Sequence, residues 1–210
     1  MPRIEVSHHF AIPIYSLHLD GDVAASERDA LLARLRVLRD TTPGKIVTNR
    51  SAWHSENDLH RDPDPAVKKF MQHANAFVHG ALASTYDNWS DADPTIVEAW
   101  AVLGGRGASH LPHAHAPALW SGVFYVSAES CLARDGSDPR GGKIEFANPV
   151  AGAASFGART SITCEPKDGL FLLFPAMLLH WVNPNPSDAE RVVISFNVMI
   201  EPRREKEERR

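Results

Sequence analysis

After Asp87 the chain changes character, and short β-rich runs appear near 95–103, 118–126, 143–147, 160–164, 169–174, 178–183 and 191–200. Clusters of Gly, Pro, Asn and Asp separate them. Short strands broken by turn signals leave no room for the helical crossovers that a parallel α/β sheet requires. The pattern points to a sandwich, jelly roll or barrel.

Ahead of this region, 10-FAIPIYSLHL-19 reads as an edge strand, because Pro13 cannot donate to a ladder. Ser26 and Asp29 have capping-box spacing, and Leu31, Leu32, Leu35 and Leu38 follow as a helical stripe that Pro43 and Gly44 close. Pro65 stands at a first helical position, and Val67, Phe70, Met71, Ala74, Phe77, Val78, Ala81 and Leu82 recur at three and four. The two helices are expected to pack on one face of the β structure. The fold class is therefore mainly β with N-terminal helices. We read residues 1–201 as one domain, with a helical support region at 22–86 and a barrel core at 95–200; the charged tail 202–210 is expected to be disordered.

Partners are constrained by charge. The formal net charge is −4, and Lys and Arg are scattered outside the last few residues, so no footprint for nucleic acid or a membrane surface emerges. A small molecule or a protein side chain is the expected substrate. Cys131 and Cys164 fit neither a CxxC site nor a disulfide framework, which suits a reducing, cytoplasmic setting. No leader-like start and no run of 18 apolar residues is found, so neither export nor membrane spanning is expected. A homodimer is the base-rate expectation.

The chemistry concentrates at 109-SHLPHAHAPALWSGVFYV-126. His113 and His115 stand at i and i+2, which in an extended segment points both imidazoles one way. His180 lies in the apolar stretch 169-GLFLLFPAMLLHWVNP-184, where a polar ring has no packing purpose. Any one of these alone reads as an ordinary histidine; together, at strand edges, they point to a metal ion. His110 reads as a supporting or surface residue. In 191-RVVISFNVMI-200, Val192, Ile194, Phe196, Val198 and Ile200 share one apolar face, which leaves Arg191, Ser195 and Asn197 on the other. A buried arginine needs an anion. Glu190 and Glu201 sit at the strand ends, so a ligand carboxylate is the better partner for Arg191.

These pieces resemble the 2-oxoglutarate and Fe(II)-dependent oxygenases, in particular a bacterial and phage group. The matching elements are FAIPIY, 51-SAWHSENDLH-60, 99-AWAVLGGRG-107, HAHAPALWSGVFYV, GGKIEF at 141–146, FPAMLLHWVNPN and RVVISFN. The resemblance implies a double-stranded β-helix, a cupin-like jelly roll, with a metal at one mouth. It implies Fe(II), 2-oxoglutarate as cosubstrate and O₂, with His113 as first ligand and His180 as the distal one. Arg191 would hold the far carboxylate of 2-oxoglutarate, with Ser195, Asn197 and Tyr125 as further cosubstrate contacts. The expected reaction is hydroxylation of a C–H bond, with release of succinate and CO₂.

His115 departs from the pattern, since the family carries Asp or Glu there. Either His115 completes a three-histidine centre or a carboxylate such as Glu145 comes in from a neighbouring strand. A cupin-type dioxygenase or isomerase is the rival reading, but the first cupin motif breaks at Leu119 and Trp120, and it gives Arg191 no purpose. A non-catalytic binding barrel is the third. His54, Asn57 and His60 are candidates to reach over the mouth, Trp100 and Trp120 to wall the pocket, and Phe124 and Phe146 to keep it dry.

Overall fold

The computed structural model describes residues 11–84, 92–132, 138–150 and 152–202. Phe10, residues 133–137 of the long loop and residues 203–210 of the charged tail lie outside them. The elements run β1 (Tyr15–His18), α1 (Asp22–Thr41), β2 (Asn49–Arg50), β3 (Trp53–His54), α2 (Pro65–Ala83), β4 (Ala92–Gly104), β5 (Ser109–His113), β6 (Trp120–Ser127), β7 (Ile144–Ala147), β8 (Ser161–Cys164), β9 (Leu170–Pro175), β10 (His180–Val182) and β11 (Arg191–Pro202).

Two antiparallel sheets face each other. The larger has the order β1-β9-β6-β11-β4-β3 and the smaller β2-β5-β10-β7-β8. Strands β4 to β11 are thus divided four and four, and the chain crosses between sheets at nearly every connection. This is the double-stranded β-helix. Strand β1 is an edge strand, which suits the preceding Pro13.

Helix α2 begins as its sequence dictates. The Asp64 side chain accepts from the Ala66 amide at 2.8 Å, and Pro65 fills the first helical position, where no donor is needed. Its buried stripe of Val67, Phe70, Ala74, Phe77, Val78, Ala81 and Leu82 covers the outer face of the larger sheet. There the Phe70 ring meets those of Phe124, Phe171 and Phe196 at 5.6, 6.0 and 6.5 Å. Helix α1 departs from expectation at its start. Ser26 caps nothing, because the helix already begins at Asp22 and the positive φ of Gly21 (88°) turns the chain into it. Arg36 and Arg39 of α1 both bind Glu190, which tethers the helix beside the start of β11.

Two apolar layers follow from strand alternation. One lies between the helices and the larger sheet; the other, around Val123, Tyr125, Phe146, Leu172, Phe174 and Val193, lies between the two sheets. Strand β11 serves both, with Val192, Ile194, Phe196 and Val198 toward the helices and Arg191, Val193, Ser195 and Asn197 toward the interior. Trp120 and Phe124 belong to the helix-side layer, so they neither wall nor dry the pocket. Trp100 and Phe146 are in the inner layer.

Gly122 of β6 sits directly opposite Phe196, and a methyl group on it would run into that fully buried ring. Gly122→Ala is expected to destabilise the protein by about 1–3 kcal/mol through overpacking. Calorimetric melting checks this, and an unchanged Tm would contradict the packing described.

Candidate metal and cosubstrate site

His113 closes β5 and His180 opens β10, and the two are direct partners across the antiparallel ladder. His115 stands two residues on, in a turn fixed by its amide donating to the Ala176 carbonyl at 2.8 Å. The ring nitrogens available from the three lie within 4.8 Å of one another. His113 and His180 each place Nδ1 on a backbone carbonyl, of Leu111 at 2.7 Å and Leu178 at 2.8 Å. That contact makes Nδ1 the protonated nitrogen and leaves Nε2 a free lone pair, the arrangement a metal-binding imidazole needs. The Nε2 atoms of His115 and His180 face each other at 3.3 Å.

Burial keeps these rings neutral. It lowers His115 to about 3 and His180 to about 4, with the neighbouring histidines adding to the effect, and it lowers His113 as well. Three uncharged nitrogen donors converging at one point fit a borderline divalent ion. Phe174 packs edge-on against His180 at 4.9 Å and Phe146 lies at 5.8 Å, while Trp100 flanks His115 at 5.6 Å. Behind Trp100, the buried His54 stacks on the indole at 5.8 Å.

The three histidines open into a cavity of about 670 Å³ that Ser195, Asn197 and Arg191 of β11 also line. Arg191 is 5% exposed. No carboxylate among the described residues pairs with it, and its Nε has no hydrogen-bond partner. Glu190, the obvious candidate by sequence, is taken by Arg36 and Arg39. The guanidinium sits 5.4 Å from the Tyr125 ring centroid. Tyr125 is fully buried behind it and off the cavity wall; its hydroxyl lacks a partner at hydrogen-bonding geometry, and burial pushes its pKa up to about 12. Tyr125 therefore packs against the arginine.

One sequence expectation is corrected here. Glu145 is neither a ligand nor a solvent-facing residue. It is 2% exposed, yet on the face of β7 opposite to Phe146, where Ser161, Asn183 and Arg140 take up its oxygens. Asn197 lines the same cavity as Arg191, six residues further along β11, and its amide donates to Glu98.

Sequence reasoning undervalued His110. Period-two alternation puts residues 110 and 113 on opposite faces, but β5 carries an irregularity against β10, with His180 opposite His113 and Val182 opposite His110. Three residues face two, so both rings turn to the same side. Pro112, which lacks a donor, falls within that bulge. His110 thereby lines the cavity, and burial together with the Arg191 charge lowers it to about 3. Of the loop candidates, His54 and Asn57 line the cavity and His60 does not.

A double-stranded β-helix here brings together three convergent imidazoles that could hold a metal ion and a buried arginine that lines the same cavity. Residues 98–197 match the family described as "Putative 2OG-Fe(II) oxygenase". Over this segment the chain is similar to the 2-oxoglutarate/Fe(II)-dependent oxygenases, whose chemistry uses Fe(II), 2-oxoglutarate and O₂. No curated protein matches it in sequence. Among solved structures it is similar to a prolyl-4-hydroxylase of Pseudomonas putida, at 17% identity and a TM-score of 0.59, covering 92% of this chain and 94% of that one. It is also similar to HygX of Streptomyces hygroscopicus, solved with nickel and 2-oxoglutarate, at 10% identity and a TM-score of 0.61, covering 89% and 82%. A third is the epimerase SnoN, solved with Fe³⁺, α-ketoglutarate and nogalamycin RO, at 14% identity and a TM-score of 0.62, covering 92% and 82%. At these identities the likeness concerns the fold. No helix among the described residues is long and apolar enough to cross a membrane.

The neutral trio has a consequence for stability. An unfolded histidine titrates near 6.5 whereas His115 and His180 titrate at about 3 and 4, so between these values the unfolded chain binds protons that the folded site refuses. Stability of the metal-free protein is therefore complete above pH 6.5 and falls as pH drops below it. Melting curves between about pH 7 and pH 5 are expected to show a shallower fall for His115→Gln than for the native protein. Identical slopes would mean that His115 is not held neutral by burial.

Proposed function

We propose that His113, His115 and His180 hold Fe(II), that Arg191 anchors the far carboxylate of 2-oxoglutarate, and that the chain hydroxylates a C–H bond of a small molecule or side chain. The observation that carries this reading is the pairing of three neutral, convergent imidazoles with a buried arginine that has no protein carboxylate, both in one cavity. When bound, iron with 2-oxoglutarate and O₂ supplies the oxidising power, with release of succinate and CO₂.

The chain's own residues prepare that chemistry. Nδ1–H contacts to the Leu111 and Leu178 carbonyls fix the His113 and His180 rings with their lone pairs inward. Tyr125 packs against Arg191, and Ser195 and the neutral His110 offer hydrogen bonds from the wall of the same cavity. Phe146, Phe174 and Trp100 exclude water around the ligands, which strengthens the electrostatic interactions there. Because His115 replaces a carboxylate, the ion would keep its full dipositive charge, and the dianionic cosubstrate would gain from it. In this reading residues 1–201 act as one domain, with the helices bracing the larger sheet.

The test is an anaerobic Fe(II) titration with 2-oxoglutarate, followed by the visible charge-transfer band of the chelate. The band is expected in the native protein. In Arg191→Ala, 2-oxoglutarate affinity is expected to fall roughly 30-fold or more, the loss of a charge-assisted pair of about 2 kcal/mol. His115→Ala is expected to abolish the band. No band in the native protein would overturn the function, and an undiminished band in His115→Ala would remove that residue from the site.

A further inference from the structure

Glu98 lines the cavity from β4, two residues from Trp100 on the same strand face. That spacing corresponds to about 7 Å along the strand, and Trp100 itself flanks His115. Glu98 is thus placed next to the metal-ligand cluster, toward the mouth and away from Arg191. Its carboxylate has no cationic partner among the described residues. It accepts instead from two amides, the Asn57 Nδ2 at 3.3 Å on one oxygen and the Asn197 Nδ2 at 2.9 Å on the other. Lys45 is spent on the Asn57 side-chain Oδ1 at 2.7 Å and on Glu56.

Asn197 supplies an independent observation. It is 7% exposed, lines the same cavity, and its Oδ1 is buried with no hydrogen-bond partner. The Glu98 contact fixes which way round the amide sits, because turning it over would set its oxygen against a carboxylate. The orphan is therefore an acceptor. A buried acceptor without a donor is costly to leave unpaired, and here it stands directly across the ladder from a carboxylate. Two acceptors side by side, one of them charged, ask for a ligand group with several N–H donors and a positive charge.

We propose that Glu98 and Asn197 are the residues that select the substrate, and that the substrate is a small molecule or side chain bearing a protonated primary amine or a guanidinium. The cation would bind between the Glu98 carboxylate and the Asn197 Oδ1. An apolar spacer would then run along the indole of Trp100 toward the three histidines, which places the reacting C–H bond several carbons from the nitrogen. Asn57 holds the carboxylate in position from the far side. The proposal rests on the oxygenase reading, which makes this end of the cavity the substrate end and leaves Arg191 to the cosubstrate.

The experiment uses three matched probes, hexylamine, hexanol and hexanoate, with binding measured by ligand-observed NMR on the protein loaded with Mn(II) and 2-oxoglutarate and on the protein alone. Hexylamine is expected to bind about tenfold or more tightly than the other two, the worth of one charge-assisted hydrogen bond. Glu98→Gln is expected to level the three, and Asn197→Ala to weaken hexylamine while leaving hexanoate unchanged. Arg191→Ala is expected to lose 2-oxoglutarate and keep the amine preference. Equal binding of the three probes by the native protein, a preference for hexanoate, or an amine preference surviving in Glu98→Gln would each overturn the proposal. Failure of Mn(II) and 2-oxoglutarate to bind would instead overturn the oxygenase reading, and the amine preference of the unloaded protein would still decide the role of Glu98.

Discussion

A buried guanidinium must meet a negative charge, and among the described residues of this protein no carboxylate supplies it. Arg191 is almost wholly buried, Glu190 beside it is diverted to the helix arginines, and its Nε is left unpaired. A buried cation held this way is a standing demand for a carboxylate ligand. The surrounding architecture serves it: the cavity stays open in front of the guanidinium, Tyr125 packs against it, and the histidines that line the same space are kept neutral by burial.

Neutrality matters for the other end of the site as well. Imidazoles that resist protonation offer lone pairs to a metal over the whole physiological range, without competition from protons. Their placement depends on the ladder between β5 and β10, which puts His113 and His180 face to face, and on the turn that brings His115 around to them. The larger sheet can carry a polar inner wall because its outer face is sealed by α2 through Phe70, Phe77 and their partners. Apolar burial on one side of β11 thus stabilises the strand that presents Arg191, Ser195 and Asn197 on the other.

Much of this was legible before any coordinates. The alternation in β11 separates core from cavity residue by residue, and the odd chemistry of His180 and Arg191 in apolar surroundings marks them as candidates for the site, which the cavity they line bears out only in their placement. What escaped did so for definable reasons. His110 was misplaced because a bulge adds a residue to β5, and a bulge leaves no period in sequence. Glu145 and Trp120 were misjudged because periodicity says which residues share a face and is silent on which layer that face meets. The short strands β2 and β3 carry too few residues to show any period. Glu98 was invisible because its meaning comes from Asn57 and Asn197, distant in sequence and adjacent only across the ladder.

His115 is the residue on which the account turns, since in the proposed reading a neutral imidazole would stand where the resemblance implies an anionic ligand. The most direct measurement is a crystal structure of the protein prepared without oxygen in the presence of Mn(II) and 2-oxoglutarate. The account predicts one ion bonded to His113, His115 and His180, with the chelating end of 2-oxoglutarate on that ion and its far carboxylate on Arg191. An ion ligated by a carboxylate of the chain in place of His115, or a cosubstrate lying away from Arg191, would contradict it.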